Sequence, residues 1–151
     1  MPGVRLHPIG IVRSPVLEPM QEGWGQVIST LVLDPALAPG LDGVEEFTHV
    51  GVIFLMHLAR FRPTDLVRRP RGRSDLPAVG IFAQRAACRP NRVGFSVVQV
   101  VTRAGPELTV RGLDAVDGTP VLDVKPHVPA FDVGRGARYP SWVDAIMASY
   151  F

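Results

Sequence analysis

Apolar residues along the chain come in short runs, many alternating with polar ones, and nearly every run is bounded by proline or glycine. RLHPIGIVR (5–13), GQVISTLVL (25–33), THVGVIFLMH (48–57), AVGIFAQ (78–84), GFSVVQVVTR (94–103) and ELTVRGL (107–113) are rich in valine and isoleucine and read as strands. Six or seven such strands separated by turn residues predict a mainly β fold, a closed or nearly closed barrel. Helical periodicity is sparse. Its clearest case is SWVDAIMASY (141–150), where Ser141 and Asp144 have capping-box spacing and Trp142, Ile146 and Tyr150 share one face. Residues 60–78, RFRPTDLVRRPRGRSDLPA, hold six arginines and three prolines and read as the one poorly structured stretch. A second irregularity separates two apolar segments in GIFAQRAACRPNRVGFSVVQVV (80–101), which crowds Arg85, Cys88, Arg89, Pro90, Asn91 and Arg92 into the connector. A plain hairpin needs only about two to five linking residues.

Composition narrows the class. At 151 residues the chain is one domain by length, with 46% hydrophobic and 20% charged residues, ordinary for a soluble globular protein. One cysteine excludes an intramolecular disulfide and suits a reducing compartment. The start, MPGVRLHPIG, lacks the apolar core of a signal peptide, and no segment approaches the roughly 20 apolar residues of a membrane span, so a cytoplasmic location is expected. Lys125 is the only lysine among 16 cationic residues; the rest are arginines, which bind carboxylates and phosphates bidentately.

Most chemistry-bearing residues, taken singly, have a structural explanation. His49 and His57, eight apart on one strand, would lie roughly 26 Å from each other and cannot share a metal. Without an HExxH, a CxxC or clustered carboxylates, metal catalysis is disfavoured. No G-x-G-x-x-G follows a strand, which argues against a doubly wound nucleotide-binding domain. Cys88 reads as a passive small residue, and Asp117-Gly118 as a tight hairpin turn. The arginine-rich stretch, taken by itself, reads more readily as a solvated loop than as a nucleic-acid contact.

Their order along the chain adds more. IGIVRSP (9–15), GLDGVEEFTHVGVIFLMH (40–57), GIFAQRAACRPNRVGFSVV (80–98) and LDAVDGTPVLDVKPHVP (113–129) together resemble the TsaA-like family of tRNA methyltransferases, over roughly residues 7 to 132. The most specific parts are RPN-x-x-G-x-S, Arg89 to Ser96, and D-x-x-D-G-T-P-V-x-D-x-K-P, Asp114 to Pro126. The resemblance implies a small antiparallel β-barrel, outside the Rossmann class, that binds S-adenosylmethionine and forms a homodimer. It implies methylation at N6 of a threonylcarbamoyl-adenosine beside the tRNA anticodon, with a small metabolite as the alternative acceptor. Residues 1–132 would be the barrel, and 133–151 a tail whose short helix packs on the barrel or on a dimer partner.

By the same resemblance Gln21, His57, Leu58, Arg85, Phe95, Gly112, Leu113 and Asp114 match cofactor-contacting positions, and Arg85 or Arg89 would pair with the cofactor's carboxylate. Asn91 belongs to the same loop, as ligand contact or turn builder. Methyl transfer from a sulfonium is an in-line displacement, so alignment does most of the work. The nitrogen acceptor must lose a proton, and Asp114, Asp117 and His57 are the candidate bases. The sequence departs from the family pattern at Met20, where an arginine is expected, at Gln84-Arg85-Ala86, at Arg92, where proline is usual, and at Gly51, where an aromatic is common.

Overall fold

A computed structural model describes all 151 residues. Strands β1 (Gly10–Arg13), β2 (Ile28–Leu33), β3 (His49–Leu55), β6 (Val93–Ala104), β7 (Glu107–Arg111) and β8 (Pro120–Pro126) form a closed antiparallel barrel. Around it the order is β1-β2-β7-β6-β3-β8, with β8 returning to β1. Two further strands, β4 (Val67–Arg68) and β5 (Val79–Gly80), make a small ribbon outside the barrel. The helices are short: several 3₁₀ turns, α1 (Pro129–Asp132) and α2 (Trp142–Met147).

Alternation explains the closure. On β2, Ser29, Leu31 and Leu33 point inward; on β6, Gly94, Ser96 and Val98 do. Val12, Leu31, Val50, Val52, Leu108, Val110 and Val121 are all fully buried and fill the interior with Phe54 and Leu113. Each such side chain contributes about 1.5–3 kcal/mol relative to exposure. Gly94 shows how close the packing is: a Cβ there would sit 2.5 Å from Cε2 of the buried Phe54 ring.

Five local expectations need correction. Only residues 79–80 of the expected 78–84 strand are paired as a strand; a 3₁₀ turn follows, and the Gln84 amide donates to the carbonyls of Arg68 (2.8 Å) and Val79 (3.0 Å), replacing ladder bonds. β8 was hidden by the prolines that bound it, which are tolerated at a strand's ends. Asp117-Gly118 does form a turn, closed by Thr119 N–H on Val116 O, yet it joins no hairpin, because β7 pairs with β2 and β6 while β8 pairs with β1 and β3. Ser141 takes helical dihedrals and its side chain caps nothing.

Residues 60–78 are folded rather than irregular. Asp65 accepts from the Arg62 N–H, Pro70 and Leu76 are buried, and β4 pairs with β5. Several of the arginines are internal ties: Arg68 donates to Asp65 and to Cys88 Sγ, Arg69 to the carbonyl of Leu76, and Arg73 grips Asp75 through two bonds.

Candidate functional site

Strand direction decides where a site can form. β1, β3 and β7 finish, and β2, β6 and β8 begin, at the same end of the barrel. The connections 14–27, 56–92 and 112–119 therefore gather there, and every residue named above as a cofactor or catalytic candidate lies on or beside them.

Asp114 is the centre of this end. The chain leaves β7 through Gly112, whose φ of 87° suits glycine and whose N–H donates to Val27 O at 2.9 Å. This turn lays Asp114 beside β6, where Ser96 Oγ donates to its Oδ1. The Tyr150 hydroxyl, from the tail, donates to Oδ2. The two motif segments thus meet in one hydrogen bond. Burial first, then the Asp114 charge, push the Tyr150 phenol well above its usual range, while Arg71 and Arg85 pull weakly the other way. Tyr150 is a donor at any physiological pH. The guanidinium of Arg71 lies 5.8 Å from the Tyr150 ring centre.

Arg85 and Phe95 form the second cluster. Arg85 donates to the Phe95 carbonyl and lies 6.0 Å from its ring centre, and no carboxylate pairs with it. The Phe95 side chain is on the outer face of β6, above Gly51 on β3; a Cβ at Gly51 would approach its Cε2 to 2.6 Å. The glycine that departs from the family pattern makes room for this ring.

The connector that crowded arginines between two strands is held by two of them. Arg89 Nη1 donates to the carbonyls of Gln84 (2.9 Å) and Ala86 (3.4 Å), so it is scaffold within the loop. Arg92 N–H closes a turn on Arg89 O, and its guanidinium reaches Ala59 O at 2.8 Å. Its φ of 52° is one that proline cannot adopt, so the loop turns differently from one with proline there. Asn91 is exposed at the tip of that turn.

The remaining candidates divide. Leu58 and Gln21 are exposed, whereas the Leu113 side chain is in the core, so only its backbone can meet a ligand. His57 lies beyond the end of β3, in the turn Met56–Ala59, with its Nδ1 buried and unpaired. Asp117 is exposed, and its carboxylate accepts the Ser14 N–H at 2.9 Å, the work of a turn builder. At Met20, the carbonyl accepts from Trp24 Nε1 at 3.0 Å. Two residues of this end were not singled out by sequence: Ser96, although its motif was, and Tyr150, which carried no signal beyond a place on an amphipathic helix face.

No cluster of three or more His, Cys, Asp or Glu side chains stands ready to hold a metal ion, and no helix is long and apolar enough to cross a membrane. The exposed Phe95 face, the Arg85 guanidinium with no carboxylate partner and the Asp114 carboxylate suit the parts of S-adenosylmethionine: an aromatic purine, a carboxylate, and hydroxyl or amine donors.

The model of the tRNA-methyltransferase O N-terminal domain matches residues 13–133. A probable S-adenosyl-L-methionine-binding protein of Pyrococcus abyssi is 39% identical over 143 residues, 91% of this chain and 75% of its own length. The tRNA (adenine(37)-N6)-methyltransferase of Escherichia coli is 34% identical over 143 residues, 85% of this chain and 60% of that protein. The crystal structure of TrmO from Pseudomonas aeruginosa superposes with a TM-score of 0.76 at 32% identity, covering 94% of this chain and 62% of that one. The chain therefore spans about three-fifths of the TrmO proteins it resembles. With a family match over most of its length and a barrel of the same fold, the chain belongs to the tRNA-methyltransferase O family of S-adenosylmethionine-dependent methyltransferases.

Proposed function

We propose that this protein methylates N6 of an adenosine beside the tRNA anticodon, the threonylcarbamoylated form included, in the cytoplasm, with S-adenosylmethionine as donor. The observation that carries the reading is the bond between Ser96 and Asp114, which joins the two most specific family segments at the loop-bearing end of the barrel. When bound, the cofactor supplies a methyl group on a sulfonium. Arg85 would take its carboxylate, Phe95 an aromatic or methylene face, and Asp114 a hydroxyl or amine donor. Gln21, Leu58 and the backbone of Gly112 and Leu113 border the same end.

Catalysis needs alignment above all, and the barrel supplies a rigid frame for it. Of the three candidate bases, Asp114 already holds two donors and Asp117 is tied to Ser14, which leaves His57 the least committed. The test is incubation with methyl-labelled cofactor against unmodified tRNA, threonylcarbamoylated tRNA and a small-molecule extract. Label in the threonylcarbamoylated tRNA alone bears the full reading out; label in no tRNA removes it.

A small-metabolite acceptor is the second reading. It is favoured because Arg68, Arg69 and Arg73 are spent on internal ties, which leaves Arg60, Arg62 and Arg71 free of carboxylates. Three phosphate contacts would give a log–log salt slope of about −2 to −3. Arg60→Ala with Arg62→Ala is the variant that tests it without disturbing the fold. We also propose a twofold dimer, supported by the apolar outer row Val93, Phe95, Val97 and Val101 on β6. Sedimentation at the mass of a single chain would exclude it.

A further inference from the structure

The last three residues are built into the site end, although the chain leaves the barrel at the opposite end. β8 runs away from the site, so residues 127–148 must travel back along the barrel before Ser149–Phe151 dock. Docking uses several independent contacts. Gly23 N–H donates to Ser149 O and Trp24 N–H to Tyr150 O, both at 2.9 Å. Ser149 Oγ donates to Glu22 Oε2 at 2.9 Å. Gly25 lacks the side chain that would collide: a Cβ there would stand 2.5 Å from the Phe151 carbonyl carbon. The Tyr150 ring packs edge-on against Phe151, with centres 4.7 Å apart. On its other flank is Arg71, held at a left-handed φ of 52° that a non-glycine residue seldom adopts.

The target of this strap is the carboxylate on which the cofactor reading rests. We propose that Tyr150 is a positioning residue of the cofactor site: its phenol holds the Asp114 carboxylate in place, and the strap ties that carboxylate to the loop of residues 20–25. The inference rests on the cofactor reading above. An ionised carboxylate accepts up to about four hydrogen bonds, and Ser96 and Tyr150 take two, so Asp114 keeps capacity for a ligand hydroxyl or amine. With Tyr150 absent, the carboxylate loses one of its two fixed donors. Because the docked strap fixes the carboxylate that the ligand uses, docking favours binding, and by linkage the ligand favours docking by the same factor.

The experiment uses the full chain with S-adenosylhomocysteine as probe, by calorimetry, in wild type, Tyr150→Phe and Gly25→Ala. Tyr150→Phe keeps the ring but leaves the carboxylate to be immobilised by the ligand itself, and should weaken binding by up to about tenfold. Gly25→Ala retains the phenol but obstructs the docking that brings it to Asp114, and should weaken binding in the same direction. A second readout follows phenol ionisation by absorbance in a Tyr139→Phe background, which leaves Tyr150 as the only tyrosine. Asp114, Arg71 and Arg85 are the charges acting on it, and saturating probe should move its ionisation to higher pH. Wild-type binding with unchanged affinity in both variants, or ionisation indifferent to the probe, overturns the proposal. Tighter binding by Tyr150→Phe overturns it too, by making the phenol a competitor for the ligand's place. Wild type that binds no probe removes the cofactor reading itself, and Tyr150 is then only a packing contact.

Discussion

The two ends of this barrel are made from the same strands and treat polar groups in opposite ways. At the end opposite the site, β6 and β7 meet in a two-residue turn at Gly105, and the connection 34–48 folds across with Leu41 buried. Its strand-borne cations are paired: Arg103 with Asp42 at 2.9 Å and the Ala38 carbonyl at 2.9 Å, Lys125 with Asp123 at 2.8 Å. At the site end Arg71 and Arg85 lie against aromatic rings with no carboxylate partner, and His57 Nδ1 is buried unpaired. One end pairs these cations with its own carboxylates. The other keeps donors and acceptors in reserve, which is what a ligand site requires.

The largest effect should come from removing the shared acceptor. Asp114→Ala is expected to cost about 3 kcal/mol of S-adenosylhomocysteine affinity, roughly a hundredfold, because ligand donors lose a charged partner and Tyr150 and Ser96 lose theirs. Calorimetry that finds near wild-type affinity would erase the distinction between the ends. Next, two glycines separate wall from site. Gly94→Ala drives a Cβ into the buried Phe54 ring and should destabilise the fold by about 1–3 kcal/mol in denaturant titration. Gly51→Ala meets only the half-exposed Phe95 ring, which can swing aside, so its stability cost should be smaller and its effect should fall on ligand affinity.

Arg103→Ala tests the opposite end. Loss of the Ala38 hydrogen bond and the Asp42 pair should cost about 1 kcal/mol of stability and leave probe affinity unchanged. An altered affinity would mean that the two ends are coupled. The smallest effect is alkaline. The Tyr150 phenol ionises at higher pH when folded than when unfolded, so its contribution is whole below the unfolded value near 10 and declines as pH rises beyond it. Wild type should therefore lose stability more steeply than Tyr150→Phe above pH 10; parallel curves would contradict the buried phenol.

How much of this was legible follows from what kind of interaction was involved. The barrel was readable because alternation records which face of a strand is buried, as on β2 and β6. β8 escaped because its prolines mimic a boundary, and the order in the Gln84 and Arg69 region escaped because side chain-to-carbonyl bonds leave no periodicity. Asp114, Arg85 and Phe95 came from motif resemblance, and the structure puts them on or beside the connections at one end. Tyr150 could not come from either source: its bond to Asp114 spans 36 positions and depends on where a tail comes to rest.

The strand order carries a consequence for how the chain reaches this state. Only β6 and β7 are joined by a tight turn; β3 must find β8 across the span from Val50 to Pro126, and β1 must find it from still farther along the chain. Such distant pairings incur loop-closure entropy before any contact rewards it, which places folding in the slow range of about milliseconds to seconds. The β6–β7 hairpin is then the natural nucleus. The β1–β8 seam, with only two paired positions at Gly10 and Ile11, would close late and be the first to exchange its amide hydrogens.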